Sequence, residues 1–115
     1  MKHTLSILFI AMMVTLSNFT PAHAADDKLQ IVEMTLKDHK FAPEHFTVPA
    51  NKPFIIRLKN ADKTPAEFES HDMKAEKIIG GGKTISIRIR ALKAGEYTFF
   101  DEFNEKTTRG TVTVK

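Results

Sequence analysis

The stretch Gly95-Glu96-Tyr97-Thr98-Phe99-Phe100-Asp101-Glu102-Phe103 decides the fold. It has the pattern of a β-strand that ends in two acidic residues. Alternate residues of a strand point to the same face, so Tyr97, Phe99 and Asp101 share one face. The two aromatic residues should line a core, which aims the Asp101 carboxylate at the end of that core. Burying a carboxylate is costly unless a partner compensates, and we expect that partner to be a cation.

Other short runs of the chain show the same period of two. The runs are 29–36, 46–48, 54–59, 85–90 and 111–114. Turn-forming residues separate them at 60–65, at Gly80-Gly81-Gly82 and at 93–95. Many short strands separated by turns predict an all-β sandwich or barrel.

Two segments between these runs need a separate interpretation. The glycine triplet 80–82 is not followed by the Lys-Ser/Thr pair of a phosphate-binding loop, and it precedes a strand. We therefore expect a hairpin turn or a turn that crosses between sheets. The segment 72–77 has no clear periodicity, and we expect one helical turn or irregular structure there.

The first 24 residues have the pattern of a signal peptide. Lys2 and His3 precede the apolar stretch 5–16, and Ala22-His23-Ala24 is a small-x-small cleavage signal. We predict that residues 1–24 are removed and that residues 25–115 form a single exported domain. The alternative is that the segment stays on the chain as an interfacial anchor.

The composition excludes several classes of site. The chain has no cysteine, so disulfides and thiolate metal sites are impossible. Its 17 Lys and Arg residues are spread along the sequence, and we expect no nucleic-acid partner. There is no arrangement typical of a Ser/His/Asp or Cys/His nucleophile, which leaves redox chemistry at a metal as the plausible form of catalysis.

A second acidic motif, Glu67-Phe68-Glu69, follows the turn at 60–65. Residues i and i+2 of a strand face the same way, so both glutamates lie opposite Phe68. If they converge with Asp101 and Glu102, the like charges repel strongly, and protonation, a basic partner or a metal cation is required. The spacing alone favours solvated acids on separate faces over such convergence.

Softer ligands follow this motif. If the strand continued to Met73, its side chain and that of His71 would share the face of the glutamates, and the mixed ligand set would favour copper over iron. Otherwise these two residues begin an exposed turn. His39 and His45 flank 41–43 and are more simply surface residues.

Arg109 is the main alternative to a metal as the partner of the inward carboxylate. A buried Asp101–Arg109 ion pair would satisfy the acid with no ion, and breaking such a pair typically costs about 3–5 kcal/mol.

Residues from Phe41 to the end carry a set of motifs that resembles the cupredoxin-like domain of the EfeO type, which is linked to bacterial iron transport. The motifs are Phe41-x-Pro43, Thr47-Val48-Pro49-Ala50-x-Lys52-Pro53, Leu58-Lys59-Asn60-x-Asp62-x-Thr64-Pro65-x-Glu67-Phe68-Glu69-Ser70, Gly95-Glu96-Tyr97-x-Phe99-Phe100-Asp101-Glu102-Phe103 and Thr108-Arg109-Gly110. The resemblance implies a cupredoxin-like Greek-key β-sandwich of about seven to eight strands in residues 25–115.

The resemblance also implies which positions correspond to the copper ligands of blue-copper proteins. Glu67 stands near the position of the first histidine and Asp101 near that of the cysteine, while Asn104 and Arg109 fall roughly where the second histidine and the axial methionine would come. A blue-copper centre needs a thiolate, so this chain cannot have one. Oxygen ligands suit ferric iron, manganese or magnesium, and copper(II) remains compatible with a mixed oxygen and imidazole set.

Three functions follow as hypotheses. The first is a periplasmic iron- or copper-binding protein that assists iron uptake beside a membrane iron permease and other periplasmic iron-uptake proteins. Its candidate ligands are Glu67, Glu69, Asp101 and Glu102, with His71 and Met73 as additional candidates. The second is oxidation of ferrous iron at a carboxylate centre. The third is a metal-free β-sandwich that binds a partner protein, its acids satisfied by Lys and Arg.

Overall fold

A computed structural model describes residues 28–115, so the predicted signal peptide, residues 1–24, and the first residues of the predicted domain lie outside the described residues. The described part contains nine strands and one short 3-10 helix, Glu102–Asn104. None of its helices is long and apolar enough to cross a bilayer. The strands are β1 (Gln30–Lys37), β2 (Lys40–Ala42), β3 (His45–Val48), β4 (Phe54–Asn60), β5 (Ala66–Ser70), β6 (Ala75–Ile79), β7 (Thr84–Ile89), β8 (Gly95–Asp101) and β9 (Arg109–Val114).

The strands form two mixed sheets. The four-stranded sheet has the order β2-β1-β4-β7, and the five-stranded sheet has the order β3-β9-β8-β5-β6. Strands β1 and β4 run parallel, as do β3 and β9, while the other pairs are antiparallel. The all-β prediction is therefore confirmed, with nine strands where about seven to eight were expected.

The hydrophobic core lies between the two sheets and is built from the alternate residues of each strand. Phe68 and Phe99, from β5 and β8, are fully buried and stack with their ring centroids 5.4 Å apart. Phe41 packs edge-on against both rings. Burying a large apolar side chain contributes roughly 1.5–3 kcal/mol. The core residues of the described part of the chain run from Met34 to Val114.

Strand β6 replaces the helical turn or irregular structure that we expected at 72–77. The chain reverses at residues 71–74, where Lys74 has a positive φ of 53°. The Ser70 hydroxyl anchors this turn, because it accepts from the Met73 amide and donates to the Thr98 carbonyl. The chain then runs back antiparallel to β5, with Glu69 opposite Glu76.

The glycine triplet connects β6 in the five-stranded sheet to β7 in the four-stranded sheet, which confirms the expected sheet-crossing turn. Gly81 packs directly against the loop that precedes β5. A Cβ atom at this position would lie 2.1 Å from the Lys63 carbonyl oxygen. The Asn60 side-chain amide joins the same two segments by donating to the carbonyls of Thr64 and Ile79.

Gly81→Ala should therefore destabilise the fold, because the new methyl group meets backbone that cannot move freely. Overpacking of this kind costs about 1–3 kcal/mol. The matched control is Gly80→Ala, whose Cβ would lie 3.3 Å from a flexible lysine side chain, and we expect little effect there. Urea unfolding of residues 25–115 measures both, and equal stabilities of the two variants would contradict the packing argument.

Candidate metal centre

Strand β5 places two glutamates on the outer face of the five-stranded sheet. Phe68 points into the core and is fully buried, so its neighbours Glu67 and Glu69 point the opposite way. Glu67 is half-buried, and Glu69 is only 9% exposed. The structure confirms that the two glutamates lie opposite Phe68, and because Phe68 is in the core they lie outside it.

The neighbouring strands bring two more carboxylates to this face. Glu76 of β6 lies directly across from Glu69 in the antiparallel pair. On the other side, Asp101 of β8 pairs with Phe68, and Glu102 follows as the first residue of the 3-10 helix. Both Glu76 and Glu102 are exposed.

Together these residues form the four-glutamate cluster: Glu67, Glu69, Glu76 and Glu102. Each offers one carboxylate oxygen, and the four oxygens all lie within 4.8 Å of one another. Carboxylate oxygens in this number are a ligand set for a hard cation. The structure thus brings together three of the residues that the sequence singled out.

Glu76 was missed because the segment 72–77 was not recognised as a strand. The signal was the pair Ile78-Ile79 ahead of the glycine turn, which is typical of a strand end. A hairpin between β5 and β6 then requires that Glu69 and Glu76 face the same side.

Glu69 has one oxygen with no partner. Its Oε2 atom is buried and has no hydrogen-bond partner among residues 28–115. Its Oε1 atom lies 3.5 Å from Nδ1 of His71, whose side chain is 79% exposed. A buried carboxylate oxygen without a hydrogen bond is unfavourable, so a proton shared with a neighbouring carboxyl or a bound cation would stabilise this atom.

Crowding raises the pKa of the two inner glutamates. A hydrogen bond shared with the Glu76 carboxyl is the largest cause for Glu67, followed by burial and by the charges of Glu102, Glu76 and Glu69, and these raise the pKa of Glu67 to about 7. For Glu69, burial comes first and the charges of Glu76 and Glu102 follow, and they raise its pKa against a smaller opposite effect of His71. Glu67 and Glu69 therefore hold a proton more tightly than an ordinary glutamate does.

Asp101 points inward, as the alternation predicts, but it is not part of the cluster. It is 1% exposed. Its Oδ1 atom accepts from the amides of Glu67, at 3.0 Å, and Phe103, at 3.1 Å, and its Oδ2 atom accepts from Nδ2 of Asn104. Neutral donors of the protein thus compensate for the burial of this carboxylate, where we expected a cation.

Arg109 does not reach Asp101. It is exposed, donates to the Glu105 carbonyl, and lies over the Phe100 ring at 5.3 Å from the ring centroid. The proposed Asp101–Arg109 ion pair is absent from the described part of the chain.

Met73 and His71 have separate positions. Strand β5 ends at Ser70 and the chain turns, so the strand does not continue to Met73, which is 1% exposed and belongs to the hydrophobic core.

His71 stays at the edge of the cluster, beside Glu69. With Glu69, Glu76 and Lys74 it borders a shallow depression of about 270 Å³. A larger depression, of about 690 Å³, lies at the opposite end of the sandwich, and none of the described residues in its lining is a carboxylate.

The profile of the cupredoxin-like domain matches residues 6–114 of the chain. The chain belongs to the cupredoxin-like domain family. An uncharacterized protein of Rickettsia prowazekii (strain Madrid E) is 36% identical over 108 residues, which is 94% of this chain and 86% of the relative.

Solved structures share the fold at low identity. Auracyanin A, a blue copper protein from Chloroflexus aurantiacus, superposes with a TM-score of 0.66 at 18% identity over 74% of this chain and 98% of its own. The metal-binding domain of the Cu(I)-exporting P-type ATPase CopA of Streptococcus pneumoniae D39 gives 0.68 at 19% identity, over 76% of this chain and 86% of its own. The predicted cupredoxin-like fold is confirmed. This cupredoxin-like chain lacks cysteine.

Asp101→Ala should lower stability in the absence of any metal, because it removes the acceptor of three hydrogen bonds. Each donor left unsatisfied costs about 1–3 kcal/mol. Asp101→Asn keeps one carbonyl acceptor and should cost less. Urea unfolding in the presence of a chelator measures both variants, and a loss that appears only when metal is present would show that Asp101 acts as a ligand.

The pH dependence of stability should reflect the shared proton of Glu67. Its pKa is about 7 in the folded chain against an ordinary value of 4.5, so the folded state binds the proton more tightly. The resulting stabilisation is complete below pH 4.5 and is lost as the pH rises through about 7. We expect the Tm of metal-free protein to fall across this window.

Glu67→Gln tests this assignment by calorimetry. The variant should show a shallower fall of Tm over the same window, and a higher Tm than the unmodified chain above pH 7, because one repelling charge is gone. Glu44→Gln, which removes an exposed carboxylate outside the cluster, should leave the fall unchanged. Identical profiles for the two variants would contradict the assignment.

Proposed function

We propose that this protein is a periplasmic metal-binding cupredoxin-like protein of the EfeO type, that it holds a hard cation at the four-glutamate cluster, and that it assists iron uptake. The observation that carries the proposal is the buried Oε2 atom of Glu69. It lies among three other carboxylates and has no hydrogen-bond partner among residues 28–115. A cation at this point would satisfy the atom and neutralise the repulsion at once.

The chemistry of the ligands favours a hard cation, and the resemblance to the EfeO type selects iron among such ions. All four cluster residues offer oxygen, and the chain offers no thiolate. The Met73 thioether is buried in the core. Hard ions such as ferric iron prefer such a set. Copper(II) is the second candidate, because the His71 imidazole beside Glu69 could complete a mixed oxygen and nitrogen site.

The role in iron uptake rests on the resemblance of the sequence motifs to the EfeO type. The predicted signal peptide in residues 1–24 supports export to the periplasm. The partners that this role implies are a membrane iron permease and other periplasmic iron-uptake proteins. Asp101 serves the proposed site indirectly, because its bond to the Glu67 amide holds β5 at the level of Glu102.

Titration of residues 25–115 with ferric citrate and with cupric ion tests the proposal. Binding should raise the Tm, since a ligand that binds the folded state alone stabilises it by about 2.7 kcal/mol at a concentration of 100 times Kd. Glu69→Gln should weaken binding by about tenfold or more, as the loss of even an outer-shell partner weakens a metal site by 10–100-fold. Glu44→Gln is the matched control and should bind like the unmodified chain.

A separate variant tests whether the site prefers copper or iron. His71→Ala should weaken cupric binding and leave ferric binding nearly unchanged if His71 is a copper ligand. No rise of Tm with either ion, or equal affinities for Glu69→Gln and Glu44→Gln, would overturn the metal site. Retained metal in the protein isolated from cells, measured by elemental analysis, distinguishes iron from copper.

A further inference from the structure

The outer face of the four-stranded sheet is strongly basic. It is formed by the alternate residues of β1, β2, β4 and β7 that point away from the core. Its cations are Lys37, Lys40, Arg57, Lys59 and Arg88, and all five are exposed. The described strands place one carboxylate on this face, Glu33, which pairs with Arg57 at 2.8 Å.

The remaining cations of this face are largely uncompensated. Lys40, Lys59 and Arg88 form no ion pair with another described residue. Lys37 lies near the Asp62 carboxylate, which is itself held by the amides of Asp38 and His39 at the edge of the sheet. The surplus charge is therefore available to a partner.

The same face exposes aliphatic surface. The parallel register of β1 and β4 sets Ile31 beside Ile55, and the antiparallel register of β4 and β7 sets Ile55 beside Arg88. Ile31 is 45% exposed and is one of three large hydrophobic side chains exposed in residues 28–115. The face thus combines point charges with an apolar strip on an extended sheet surface.

The two outer faces of the sandwich differ in charge. The net charge of the chain is only +3, yet one face carries five cations against one carboxylate while the other carries the four-glutamate cluster. Because its charges are separated in this way, the molecule turns one sheet face toward a charged surface and the other away from it. An anionic surface attracts the face of the four-stranded sheet and repels the cluster.

We propose that the outer face of the four-stranded sheet docks on a bilayer surface that contains anionic lipid headgroups. Lysine and arginine side chains bind such a surface through its negative potential, and an exposed isoleucine adds apolar contact at the headgroup boundary. An extended sheet face presents its cations to a planar array of phosphates simultaneously. The docked domain holds the four-glutamate cluster on the side away from the lipid.

Cosedimentation of residues 25–115, the predicted exported chain, with lipid vesicles tests the proposal. Vesicles of phosphatidylcholine mixed with phosphatidylglycerol should bind the protein, and high salt should release it. Vesicles of phosphatidylcholine alone should bind at least about tenfold less. Equal binding to both kinds of vesicle, or no binding to either, would overturn the proposal.

Charge-reversal variants locate the surface. Lys59→Glu combined with Arg88→Glu should weaken binding to the anionic vesicles by at least about tenfold. The control, Lys93→Glu combined with Lys106→Glu, changes the net charge equally at exposed positions outside this face and should bind far better than the first pair. Equal losses in the two pairs would show that net charge alone is responsible and would refute the assignment. Ile31→Ser should weaken binding less than the first pair.

Membrane docking and metal binding use different faces of the sandwich, so they can be tested separately. Glu69→Gln should bind vesicles like the unmodified chain even though its metal affinity falls, which makes the failure of one site distinguishable from the failure of the other. Polyglutamate serves as a probe for an acidic protein partner. Salt-sensitive binding to polyglutamate without binding to anionic vesicles would overturn the membrane assignment in favour of such a partner.

Discussion

The buried carboxylate of Asp101 ties together the end of β8, the start of β5 and the 3-10 helix that follows β8. One of its oxygens accepts from the amides of Glu67 and Phe103, and the other accepts from Asn104. These bonds hold the start of β5, where Glu67 lies, against the end of β8, which Glu102 follows. The positions of the outward acids therefore depend on an inward acid that is itself fully compensated by neutral donors.

The same arrangement of strands also destabilises the metal-free fold, because it brings like charges together. Once β5, β6 and β8 are in register, the four glutamates lie together on one face, and Oε2 of Glu69 is buried without a hydrogen-bond partner among the described residues. The raised pKa of Glu67 and of Glu69 is the response of the metal-free protein. The proposed cation would replace this partial protonation with direct neutralisation, and its binding would raise the stability of the fold.

Much of the fold and three of the four residues of the cluster were predictable from the sequence. Alternation correctly placed Phe99 in the core, Asp101 at its end, and Glu67 and Glu69 on the side opposite Phe68. Glu76 was not predictable in this way, because its place depends on a turn with a positive φ at Lys74, which local periodicity does not encode. The partners of Asp101 were also missed, since two of them are backbone amides, which local periodicity does not identify, and the third is the side-chain amide of Asn104. Met73 lies in the core because Ser70 turns the chain one residue after the glutamate pair.

Glu76 differs from the other three glutamates because it lies on β6, which forms the outer edge of the five-stranded sheet. Edge strands open more readily than central ones, since hydrogen bonds hold them from one side alone. Transient fraying of β6 would withdraw one ligand and leave the other three in position. An ion held in the cluster would then leave through a local opening, at a rate independent of global unfolding.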